Sequence, residues 1–543
     1  TFDIMGTVNV NTVSGSTTAS ISDSTGTHSI NNGSTGAVAV KASDYTITAA
    51  FVGEAGGSGS AAIGAASDAE VFNRAVTAKV GYTGTTAGTQ MSIDSGSFSV
   101  NAENKQGISS LLVGAQGSGA AAVAAGVSVL KQTSTTTAEV DNVKANTTSS
   151  DINSYHFASL GEGNNNFAAA NNLGVGATIS VISDNNTVQT IIKDSQLTSI
   201  GETSAAAKDK TKIETENIGL GLALEGVGVA ANITVNNFNN KVMLTADNSS
   251  LIGSNVEVGA NNDIIVESNG GALGGAAVGI GVGVVETTID STTATDLTQT
   301  NLQATNGDLN VYAKENRQVT GLVINGSAGI GDIGVNIMNV TVGTKVTTDS
   351  NQSSDKEKMK NDLAKAIDEA NNVQNEASSG GLVSETQGMS DAETDNLKKN
   401  VQTVAHEDTA NSDVHVKVTG GKLAATGDTN VSSQVVNKLN IIAGTIGGGA
   451  VSGNIGVNDA ELNNNVATTL SGTVLTGKNI NVQALSGSTD DYSKVKTIQG
   501  SVGGLDISAS FADIFAFGNI AVALSGTSLT AANEVNLESK DNS

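Results

Sequence analysis

The segment GTVLTGKN at 472–479 places Gly472, Gly477 and Lys478 close to the spacing of a glycine-rich phosphate loop. That chemistry needs a Ser or Thr after the lysine to reach magnesium. It also needs a helix whose N-terminal amides close round the phosphates. Here Asn479 takes the hydroxyl position and a strand-like run, NINVQAL, follows. The sister segment GTSLTAAN at 526–533 has Ala532 at the lysine position, so a turn shared by two repeats explains the residues better than a nucleotide site. GIGDIG at 329–334 fits the dinucleotide pattern G-x-G-x-x-G, but VNIMNVTV follows where that site requires a helix. Four histidines, His28, His156, His406 and His415, stand in no metal-binding spacing, and arginine occurs only as Arg74 and Arg317.

The remaining chemistry is acidic. Asp and Glu number 53 against 27 Lys and Arg, giving a formal charge of −26. Nucleic acid and anionic membrane would repel such a chain, whereas solubility and weak cation binding are favoured. The pair Asp490–Asp491 in GSTDDYS could hold calcium weakly; a solvated turn is the simpler reading. No carboxylate cluster recurs in the manner of a solenoid lyase or hydrolase groove. No catalytic residue, metal site or cofactor is therefore assigned, and an enzyme is not expected. There is no Cys, hence no disulfide framework and no thiolate metal site. The stretch GALGGAAVGIGVGVV at 271–285 is too short and too weakly apolar to span a bilayer as a helix. Related Gly/Ala/Val stretches at 219–232, 443–457 and 499–510 suggest buried strands with small side chains.

The elements that carry these residues repeat. LSGTVLTGKNINV at 470–482 returns as LSGTSLTAANEVNL at 524–537. Phe98, Leu197, Leu251, Leu302, Leu423, Leu475 and Leu529 occupy similar contexts, and from Leu197 onward they recur every 51–54 residues with one gap of 121. Val188, Val242, Ala294, Val346, Val466 and Ile520 give a second marker with the same period and the same single interruption. Short β-branched runs such as DLNVYAK and NVEVGA follow Gly/Asn turns. Pro, which lacks the N–H of a strand ladder, is absent.

The predicted fold is therefore all-β: a parallel β-solenoid (β-helix) rod with one inserted α-helical hairpin. Three coils of about 18 residues per repeat would give some 25 coils and a rod on the order of 120 Å long. Repeated Leu and Val should stack as apolar ladders. Asn236, Asn237, Asn239 and Asn240 in VNNFNNKV should form amide ladders or fill left-handed turn positions. Solenoid repeats are expected over 1–349 and 414–543. The insertion over 350–413 carries two capping boxes, Ser354/Glu357 and Ser390/Glu393, separated by ASSGG. It should form a helical hairpin whose exposed Lys356, Lys360, Asp395 and Lys399 are the candidate partner-binding residues. The chain opens with TFDIMG and closes with KDNS, with no initiator Met and no export signal, so a segment of a longer polypeptide is expected.

SGTVLTGKNINVQAL, TNLQATNGDLNVYAK, GKLAATGDTNVSS and TSLTAANEVNLES resemble coils of filamentous haemagglutinin-type exoproteins. GVGVAANITVNNFNNKV, with the charged insertion, is similar to fusobacterial leukotoxin-like large exoproteins. The resemblance covers most of 170–543. It implies a bacterial exported β-helix, secreted or held at the cell surface, and a role in adhesion or host contact. The functional expectation is a segment of an extracellular fibre or adhesin whose loops and helical knob meet a host-cell or bacterial surface ligand, or other copies of itself. A secreted leukotoxin-like cytotoxin and a self-assembling filament or surface-layer subunit are the alternatives.

Overall fold

The computed structural model describes residues 2–25, 29–84, 89–343, 413–487 and 493–542. Among them lie twenty-two strands and no helix. Every strand pairing is parallel, and each joins a strand to one lying a whole repeat further along. Val227–Asp247 shows how one repeat is spent. This long strand runs out, the four residues Ser250–Gly253 turn the corner, and Val256–Gly275 runs back. Residues 276–277 then lead into Val278–Thr298, which lies directly on Val227–Asp247. The result is a parallel β-strand repeat architecture of the β-helix kind.

One turn of backbone therefore uses the whole repeat, not a third of it. Side-chain bonds between adjacent rungs span 51 to 54 residues in the middle of the chain. They span 60 near the start, in the Lys79–Glu139 pair. Across the excursion between 343 and 413 they span 120. The expected 18-residue coil is thus replaced by a flattened one. No Pro or turn sequence interrupts the 21-residue strands, so nothing forces the chain to bend sooner. One column reads Phe2, Ala61, Ala121, Leu173, Val227, Val278, Gly331, Val451, Leu505: nine rungs. At ~4.8 Å per rung the stack is about 40 Å tall, while the long strands extend about 70 Å.

Marker residues stack as their recurrence suggested. Leu197, Leu251, Leu302, Leu423, Leu475 and Leu529 form one column. The first five are no more than 1% exposed. Phe98 does not join them: Ile93 and Ala145 precede Leu197 in that column. In the second column Thr293, not Ala294, follows Val242, and Val414 occupies the next rung. Val346 lies outside the described residues, as does the expected helical hairpin.

The SGT motif has a specific task at the corner. Asn142, Asp194, Asn248, Gln299, Gly420, Gly472 and Gly526 stand one above another, all in the left-handed region. The hydroxyl of the next residue then caps the backbone two positions back: Ser195 to Lys193 (2.6 Å), Ser249 to Asp247 (2.7 Å) and Thr300 to Thr298 (2.9 Å).

The cross-section tapers away from this corner. At the wide end the inward residues are Val242, Leu244, Leu251, Val256 and Val258, all fully buried. At the thin end they are Gly and Ala, because the two sheets meet backbone to backbone. A Cβ on Gly221 would collide with the Val229 carbonyl, and one on Gly174 with that of Leu222. The GALGGAAVGIGVGVV stretch is this thin edge: the end of one strand, the turn and the start of the next.

Candidate functional site

Between the wide and thin ends the inward residues turn polar, and here the ionisable side chains converge. On the sheet formed by the second long strand of each rung, one column reads Asn104, His156, Asp209, Asn262, Glu315. The parallel register sets these residues one rung apart. His156 Nδ1 lies 2.6 Å from Asp209 Oδ1. Its Nε2 faces Gln132 at 3.2 Å, and Gln132 in turn donates to Asn186 Oδ1 at 3.2 Å. Asn186 donates to both oxygens of Asp184 at 2.8 Å, and Asn240 donates to Asp209 Oδ2 at 3.1 Å. Two rungs on, Arg317 Nε meets Glu315 Oε1 at 2.8 Å. Ser291 and Thr293 donate to the same Glu315 carboxylate.

A His–Asp pair at this distance can polarise a nucleophile in an open cleft. Both members here have side chains with no solvent exposure, so no substrate path reaches them. Burial pushes the Asp184 carboxyl up to about 7, and the neighbouring Asp209 charge acts in the same direction. Glu162, in the polar layer nearer the thin edge, is also pushed up to about 7 by burial. Hydrogen bonds thus run from rung to rung along this part of the stack.

Two polar features face solvent. An open 320 Å³ pocket at the corner is lined by Asp94, Asn146, Thr147, Ser199 and Ile200 among others. Thr147, Ser150 and Ser199 form a triangle of mutual hydroxyl contacts of 2.9 Å, which occupies their hydrogen-bonding capacity locally. Further along, His415 Nδ1 is 2.7 Å from Asp413 and its Nε2 is 3.2 Å from Asp296 on the preceding rung. Partial burial works to lower the His415 pKa. The two carboxylates outweigh it and raise the pKa to about 9.

Lys356, Lys360, Asp395 and Lys399, the partner-binding residues expected from sequence, lie outside the described residues, as do His28, His406 and Asp490–Asp491. Among the described residues no group of three or more His, Cys, Asp or Glu could hold a metal, and no helix is long and apolar enough to cross a membrane. The G-x-G-x-x-G match falls on the thin-edge turn and on the strand Gly331–Gly343. Lys478 follows a strand corner, its backbone N–H bonded to Gly427 O at 2.7 Å. Sequence reasoning missed the polar ladder. One repeat added to His156 arrives at Asp209, a signal present in the sequence once the period is known.

Fold and interior together define a parallel β-strand repeat protein with a layered, sealed core. No family model matches the chain, and no curated protein or solved structure is significantly similar to it.

Proposed function

We propose that this chain is a structural and binding segment of an extracellular bacterial β-solenoid fibre or adhesin. The carrying observation is the nine-rung parallel stack, inside which His156–Asp209 and Arg317–Glu315 are paired with one another and withheld from solvent. A repeat stack grows by adding rungs, each contacting only its neighbours, which is an economical way to build a long support. Such a support works by holding surface residues at a distance from the cell, with no chemistry of its own. The acidic balance suits a soluble surface structure.

Labelled protein incubated with host epithelial cells, or with bacteria, is expected to bind saturably while leaving membranes intact and surface glycans uncleaved. Lysis of the host cells would move the reading to the cytotoxin alternative. Glycan cleavage would move it to an enzyme, and absence of binding to every surface tested would end the adhesin reading.

A further inference from the structure

The inward glycines of the thin half alternate with outward Leu, Ile and Val, which leaves an apolar outer face. On the sheet formed by the second long strand of each rung, Ile218, Leu222, Leu273, Ile324, Ile446 and Ile498 are 39, 38, 46, 42, 57 and 57% exposed. They lie on adjacent columns: Ile218, Gly271, Ile324, Gly444 and Ile498 succeed one another on consecutive rungs. Large residues thus alternate with glycine along the stack. Leu222 lies over Gly275, where an added Cβ would sit 2.9 Å from its Cδ2. Leu273 likewise covers Gly326, where the distance would be 2.6 Å. Each large side chain fills its neighbour's hollow, so the face is flat, with no groove for a helix.

We propose that this face joins a second copy of the chain, sheet against sheet. Counting Val113, Ala115 and Phe167 on the earlier rungs, where Asn165 interrupts one column, the apolar columns extend about 20 Å along the strands and about 35 Å across eight rungs, on the order of 700 Å² per copy. That is close to the ~800 Å² per partner of a stable interface and beyond the patch size a lone soluble protein usually exposes. Flat β faces pack on one another at about 10 Å. Lys212 contacts Glu214 and reaches Glu267 at 3.5 Å within the copy, while Glu216 and Lys496 stand in the column directly beside the patch. Anionic lipid fits less well, because it repels a chain of formal charge −26. Because each copy carries a formal charge of −26, added salt should strengthen the pairing by screening repulsion.

Sedimentation of the 543-residue chain is expected to show a concentration-dependent dimer that increases between low and 0.5 M salt. Leu273→Glu combined with Ile324→Glu should weaken it at least about tenfold. Ile179→Glu, at an outward position of the opposite sheet, should leave it unchanged. Circular dichroism identifies any variant that fails to fold. A cysteine-free chain also permits a second readout: Leu273→Cys should form a disulfide-linked dimer on mild oxidation, and Ile179→Cys should not. A wild-type monomer at all concentrations would overturn the proposal. Equal effects from both faces would do the same, as would a monomer that floats with phosphatidylcholine vesicles.

Discussion

The two ends of a single rung obey the same alternation with opposite side chains. At the wide end the inward positions are mostly Val, Leu and Ile, with Ala246 among them; Leu244 and Leu251 are fully buried. At the thin end the inward positions are Gly228, Ala230, Ala272 and Gly274. Side-chain size thus reports how far apart the two sheets stand at each point. The runs that look most hydrophobic, such as VGIGVGVV, direct glycine inward and much of their Val and Ile outward.

If sheet separation is the cause, enlarging a thin-end residue should be the most damaging change in the molecule. Gly221→Val is expected to prevent folding, or to lower the melting temperature far more than Leu251→Ala does. Its Cβ would overlap the Val229 carbonyl oxygen, which belongs to a paired strand and cannot withdraw. Circular dichroism and thermal unfolding of the purified variant would show this. Near-wild-type stability would mean the sheets are further apart than the glycines imply.

Shrinking a wide-end residue should cost less. Leu251→Ala removes a fully buried member of the leucine column, held between Leu197 and Leu302. A cavity penalty of about 3 kcal/mol is expected, measured by the urea midpoint. Stability unchanged within experimental error would mean that the column can close round the cavity.

The same two ends differ in how far they are legible in sequence. The leucine column was visible because one residue type returns at a fixed interval, and Leu302 stacks on Leu251 as recurrence suggests. Phe98 misled because its SGS context falls five positions past Ile93, the residue that leads through Ala145 to Leu197 in the column. Rung size was not legible: a period fixes how much chain each repeat contains, and only strand length decides how many turns that chain makes. Asn236 and Asn240 are buried, Asn236 against Ser268 and Thr287 and Asn240 against Asp209 and Asn186, while Asn237 and Asn239 point outward; their shared composition could not separate them, but phase could. His156 and Asp209 are 53 positions apart and meet only through the parallel register.

The polar layer between the ends gives an intermediate effect with a defined pH window. The folded Asp184 pKa is raised from the ordinary 3.8 to about 7, so its contribution to stability is complete below about pH 4 and is lost as pH rises to about 7. Between pH 5.5 and 7 Asp184 alone should therefore account for a loss of about 2 kcal/mol. Asp184→Asn should flatten this slope, and adding Glu162→Gln should flatten it further, since Glu162 is shifted in the same direction. Urea unfolding at pH 5.5, 6.5 and 7.5 would measure it. A slope unchanged in the double variant would show that these carboxyls ionise normally.

A glycine at the corner gives the smallest effect and tests the distinction between space and backbone conformation. Gly472 has φ of +61° and nothing within 4 Å of where a Cβ would stand. Gly472→Ala is therefore expected to cost about 1 kcal/mol through left-handed strain alone. Gly472→Asn should cost less, because Asn142 and Asn248 already hold the same conformation on other rungs at φ of 54° and 46°. Urea midpoints of the two variants should rank Asn above Ala. The reverse order would mean that the corner is set by packing, as the thin edge is, and that the two kinds of glycine in this chain answer to a single cause.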